Sequence, residues 1–114
     1  MENTNFEEMG FSLCQQLRDK DYAGIAEQLG YALAFDKPVD LAIKKDFEDA
    51  LQQSRCNLIT AKCEVTVRLF PENDLELIRL IECSFKSSEF RGNVLAEIIQ
   101  SKTGIYLEQI SYVT

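Results

Sequence analysis

Carboxylates and thiols are the side chains whose types and spacing could do chemistry here, because histidine does not occur among the 114 residues. Without imidazole the chain lacks the commonest acid and base at neutral pH, any histidine-centred triad and any imidazole metal ligand. Its densest carboxylate cluster is Asp46, Glu48 and Asp49, with Asp40 a turn or more earlier. Two acids on one rigid element bind a divalent ion only when a second element adds ligands. Lys44 and Lys45 stand beside this cluster, with Glu48 four residues after Lys44 and Asp49 four after Lys45. That spacing gives surface ion pairs worth a few tenths of a kcal/mol, so the cluster reads as a solvated helix face. Glu64 and Glu82 fall on successive strand-like segments. A glycosidase-like acid pair also needs a defined separation and an enclosed cleft, and Arg68 and Arg79 balance the same polar surface more simply.

The thiols Cys14, Cys56, Cys63 and Cys83 are separated by 42, 7 and 20 positions. These intervals match neither a compact metal knuckle nor a redox pair flanking two residues. In a chain with no visible export signal, free thiols are the expectation. Cys63 and Cys83 read as small buried apolar side chains, and Cys56, beside Arg55, is the thiol most open to reaction. No glycine-rich phosphate loop or nucleophile elbow is present. Gly24 and Gly30 make no dinucleotide fingerprint. Phe85, Lys86, Phe90 and Arg91 place aromatic rings near positive charge, a feature of single-strand binders, but Glu89 intervenes and no basic track follows. The expectation is a protein that is not an enzyme, with no catalytic residue, metal or cofactor.

Charge carries more information than chemistry. Nineteen acids against twelve bases give a formal −7, and residues 1–36 hold seven acids against two bases. Such a field opposes nucleic acid and anionic membrane. It speeds encounter with a basic protein.

The elements that must position these residues follow from apolar periodicity. A first helix from Thr4 or Asn5 to Arg18 aligns Phe6, Met9, Gly10, Leu13 and Leu17, with Thr4 and Glu7 at capping-box spacing. A second spans Tyr22 to Phe35 on a broad stripe that includes Ile25, Leu29 and Leu33. A third runs from Pro38 to Gln53 through Val39, Ile43, Phe47, Ala50 and Leu51. From Lys62 to Leu69 the period changes to two: Cys63, Val65, Val67 and Leu69 alternate with polar residues. Leu75 to Phe85 reads as a second strand, bulged where Arg79 breaks the apolar face, in preference to a helix. Val94, Leu95, Ile98 and Ile99 have helical spacing, which predicts a helix from Val94 to Lys102 ending at Thr103 and Gly104. Ile105 to Val113 closes the chain as a strand.

The chain is therefore expected to be one α+β domain over residues 1–114. Three N-terminal helices pack on a small, mostly antiparallel sheet formed by a β-hairpin and a C-terminal strand, with one helix before the last strand. No basic segment leads into a long apolar span, which gives the expectation of a cytoplasmic protein with no membrane partner. The functional expectation is a noncatalytic acidic protein-binding domain, of the inhibitor or immunity type, that masks a basic surface of a toxin or nuclease. Its partner-binding residues are Glu7, Glu8, Asp19, Asp21 and Glu27. Two alternatives stand beside it. One is a homodimer or other homo-oligomeric structural or adaptor domain, associating through Ile78, Leu80, Tyr106, Ile110 and Tyr112. The other is a small ligand-binding or carboxylate-based enzyme domain.

Overall fold

A computed structural model of the protein describes residues 5–55, 58–86 and 92–113. Helix α1 spans Phe6–Arg18. Thr4 lies outside the described residues, and the cap is Asn5, whose side chain accepts a hydrogen bond from the Glu8 N–H at 3.1 Å. Glu7 and Glu8 occupy its first turn and Arg18 its last, each at the end of the helix dipole that suits its sign. Gly10, Leu13, Cys14 and Leu17 form the buried face. The reason for Gly10 is proximity: a Cβ there would lie 2.5 Å from Val65 Cγ1, so glycine lets α1 lie directly on the sheet.

Helix α2 covers Tyr22–Gln28, half the length expected. Leu29 is already extended, and Gly30–Tyr31 form the short strand β1, which pairs in parallel with Tyr106 and Leu107. A 3-10 turn follows at Ala32–Ala34. The broad stripe resolves accordingly, with Leu29, Tyr31 and Ala34 buried while Leu33 and Phe35 are exposed. Strand pairing overrides helix propensity where Gly30 already weakens the helix. Helix α3, Val39–Ser54, begins after Pro38 and buries Ala42, Ile43, Phe47 and Ala50.

The remaining elements are strands: β2 at Lys62–Leu69, β3 at Leu77–Lys86, β4 at Asn93–Ser101 and β5 at Gly104–Val113. Their order is β1-β5-β4-β3-β2, antiparallel throughout except at β1. Strand β2 has the expected limits, and the β3–β4 ladder shifts register between Leu77 and Arg79. The helix expected over Val94 to Lys102 is strand β4. Val94, Ala96 and Ile98 are fully buried in strict alternation beneath the helices, and Ile99, on the opposite face between its ladder partners Leu80 and Tyr106, is also only 9% exposed. Apolar residues on both faces of a central strand thus produce the paired spacing that resembles a helical stripe. The α+β class stands, with three helices against a mostly antiparallel sheet. The last helix is α3, upstream of β2, and β4 runs directly into β5 through Lys102 and Thr103.

The three α-helices among the described residues lie on one face of the sheet. Phe47 of α3 meets Phe85 of β3 with ring centroids 5.7 Å apart. Strand alternation puts Cys63, Val65, Val67, Ile81, Cys83 and Phe85 beneath the helices, and their neighbours in sequence on the opposite face. No helix among the described residues is long and apolar enough to cross a membrane.

Candidate interaction surface

Helical geometry sorts the five sequence-predicted carboxylates. Residues four apart stack along one face of a helix, so Glu7, Phe11, Gln15 and Asp19 form a single outward stripe on α1. Glu8 lies beside Glu7, three residues before Phe11, and the Phe11 ring is 50% exposed. The Gln15 amide donates to the Asp19 carboxylate at 3.0 Å, which fixes the far end of the stripe. Twelve residues at a rise of about 1.5 Å separate Glu7 and Asp19 by about 18 Å, so the acids flank Phe11 instead of converging on a point. Asp21 caps α2, accepting from the Gly24 N–H at 3.1 Å. Glu27 is exposed on α2, away from that stripe.

Neither of the two bases of this region, Arg18 and Lys20, forms an ion pair with these acids among the described residues. Arg18 turns inward, donating to the carbonyl oxygens of Leu58 at 2.7 Å and Ala61 at 2.5 Å, with its guanidinium 5.5 Å from the centre of the Phe85 ring. Ion pairs join Lys45 to Asp49, Arg68 to Glu82, Lys86 to Glu64 and Lys102 to Glu76. None of these involves an acid of α1 or α2. Among the described residues, the outward surface of α1 is thus an acidic strip around one aromatic ring.

The other candidate chemistries disperse. In the helix-three cluster, Asp49 pairs with Lys45 as expected, while Asp46 points inward and accepts from the Tyr31 hydroxyl at 2.5 Å. Burial first, and Asp46 second, raise the Tyr31 pKa above its ordinary range. Sequence reasoning missed this inward role, although Asp46, three residues after Ile43 and four before Ala50, flanks the buried stripe. Glu64 and Glu82 face different partners across the hairpin, Ser84 and Thr66 respectively, and each meets a cation. Arg68 balances this surface as expected. Arg79 instead lies on the helix side, over the Phe6 ring at 3.9 Å, and bonds Gln100. No cluster of three potential metal ligands occurs among the described residues.

The expectation of free thiols is overturned for two cysteines: Cys14 of α1 and Cys63 of β2 form a disulfide with a Cα separation of 6.7 Å. Forty-nine positions separate them in sequence, so spacing carries no trace of the bridge. The one usable signal was that both fall on or beside core-facing stripes. Cys83 is free and fully buried, and burial pushes its thiol up to about 12, far from reactive thiolate. Cys56, and the Glu89, Phe90 and Arg91 of the aromatic-basic segment, lie outside the described residues.

A groove of about 390 Å³ runs between α1, the end of α2 and β5. Glu8, Ser12, Gln16 and Gln28 form its polar rim, while Met9 and Ile105 contribute to its apolar floor. Among the described residues Glu8 is its sole carboxylate, so no converging acid pair of the kind carboxylate catalysis needs is found among them there. Of the five residues expected to form a self-association face, Leu80 and Tyr106 lie on the helix-free side of the sheet and Ile78 in the β3 irregularity. Ile110 and Tyr112 belong to the helix side, packed in or against the core. Comparison with protein-family models, curated proteins and solved structures finds no match to this chain.

Proposed function

We propose that this chain is a noncatalytic protein-binding domain whose α1 surface docks on a basic protein. The specific form of this reading is an immunity-type inhibitor that masks a basic toxin or nuclease surface. The observation that carries it is the half-exposed Phe11, bracketed by Glu7, Glu8 and Asp19, on a surface from which Arg18 has been withdrawn. A rigid aromatic ring in a polar surround has the composition of a binding hot spot. The surrounding carboxylates act mainly through encounter rate. Nucleic acid and anionic membranes are disfavoured by the same field. A cytoplasmic setting belongs to the proposal too, although the Cys14–Cys63 bridge counts against a permanently reducing compartment. Alkylation of thiols in intact cells measures which state prevails.

Affinity capture from the native cell should recover a basic protein on the wild-type chain. Phe11→Ala should weaken that complex about 10-fold or more, equivalent to about 1.4 kcal/mol. Combining Glu7→Gln, Glu8→Gln, Asp19→Asn, Asp21→Asn and Glu27→Gln should lower the association rate and flatten its salt dependence, with the α2 cap kept by asparagine. Equal recovery of the same partner by all variants would overturn this interface.

A further inference from the structure

We propose that the helix-free face of the sheet is a self-association surface on which a second copy of this chain packs. Its position is fixed by the burial of Val94, Ala96 and Ile98 under the helices, which turns Leu95 and Glu97 to the other side. Ile99 continues the same alternation onto that side, 9% exposed between its ladder partners Leu80 on β3 and Tyr106 on β5. These three side chains form an apolar band across three strands in direct ladder register. Next to it lies a shallow depression of about 330 Å³, lined in part by Thr66, Ser84, Asn93 and Leu95.

Charge identifies the occupant. The paired positions of this face carry Lys62, Arg68 and Lys86 against Glu64, Glu82 and Glu97, a balance of zero in a chain of net −7. Arg68 with Glu82 and Lys86 with Glu64 are already internal pairs, and the Gln109 amide donates to Glu97. A basic partner gains nothing from such a face, whereas a second copy meets no like-charge excess on it. A two-fold axis through the band of Leu80, Ile99 and Tyr106 sets it against itself, as an isologous contact requires.

The area lies at the lower limit for a specific interface. Strands β2 to β5 have at least eight residues each. At a spacing of about 4.8 Å and a rise of about 3.3 Å, their flat footprint is about 500 Å². Two such footprints make about 1,000 Å² in total, the lower limit for a specific interface.

Size-exclusion chromatography with light scattering, over about 5–200 μM and at low and high NaCl, tests the proposal. The mass should rise from 13.0 kDa toward twice that value with concentration. Association should strengthen with salt, because screening relieves repulsion between two acidic copies; docking of α1 on a basic protein has the opposite salt dependence. Leu95→Glu should weaken the dimer at least 10-fold. Ser84→Arg, a polar-for-polar change outside the core, should do the same if Leu95→Glu impairs folding. A 13.0 kDa species at every concentration, or unchanged dimerisation of a folded Ser84→Arg variant, overturns it. So does a dimer abolished by Phe11→Asp and retained by Ser84→Arg, since that places the contact on α1.

Discussion

Breaking the Cys14–Cys63 bridge should cost stability in proportion to the chain it closes. For a separation of 49 residues, the loss of loop-closure constraint on the unfolded chain amounts to about 4 kcal/mol. The packing beneath the bridge gives no reason for a larger effect, because α1 stays anchored through Gly10 on Val65 and through the buried Leu13 and Leu17. Urea denaturation followed by circular dichroism, with and without a phosphine reductant, measures the difference. With a slope of about 1.5 kcal/mol/M, reduction should lower the midpoint by about 2–3 M. Alkylation of the urea-unfolded chain should gain two reactive thiols on reduction. A midpoint insensitive to reductant, or no gain in thiols, would refute the crosslink and restore the free-thiol reading.

Gly10→Ala should destabilise by about 1–3 kcal/mol through overpacking against Val65, outweighing the helix-propensity gain of about 1 kcal/mol. A thermal melt reads the loss, and adding Val65→Ala should recover part of it. Arg18→Met retains the aliphatic stem but leaves the Leu58 and Ala61 carbonyls without their charged donor, at about 2–3 kcal/mol in the same melt. Alkali should destabilise the fold from about pH 9. The folded Cys83 thiol ionises at about 12 against an ordinary 9, so above pH 9 the unfolded chain loses a proton that the folded chain keeps. That difference removes about 1.4 kcal/mol per pH unit until pH reaches about 12. Burial and Asp46 make Tyr31 act in the same direction above pH 10. Stability against pH for Cys83→Ala should have a slope shallower by about one proton between pH 9 and 10; an unchanged slope would exclude Cys83 as its source.

Legibility in the sequence followed the range of the interaction that fixes each element. Strand β2, with strict alternation from Lys62 to Leu69, and α3, with its stripe from Val39 to Ala50, were readable because local periodicity alone specifies them. Two segments misled for one physical reason. Gly30–Tyr31 is a strand because Tyr106 and Leu107 pair with it, and β4 imitates a helix because Ile98 on one face and Ile99 on the other are both buried between β3 and β5. Both outcomes depend on partners remote in sequence, to which a short window is blind. The site shows the same division. The acidity of α1 could be counted from composition, but whether Arg18 neutralised it depended on the carbonyls of Leu58 and Ala61, some 40 residues away. Phe11 likewise lies off the buried stripe in any helical projection, yet its accessibility depended on how the other helices pack.

The destinations of the cations explain how one small chain can present two surfaces with opposed electrostatic behaviour. Arg18 is committed to loop carbonyls and Phe85, and Arg79 to Phe6 and Gln100. Arg68 and Lys86 neutralise carboxylates on the sheet, while Lys45 and Lys102 do so on α3 and at the β4–β5 turn. None of these interactions reaches the acids of α1. Residues 5–55, which form the helical layer, carry ten acids against six bases, whereas the ladder-paired positions of the helix-free sheet cancel. Adding salt weakens attraction at the first surface and relieves repulsion between copies meeting at the second. A titration from about 20 to 300 mM NaCl should consequently move the two associations in opposite directions, spanning Debye lengths from about 20 Å to about 6 Å. Parallel movement would mean that both contacts use the same face, which the different placements of Phe11 and Leu95 do not permit.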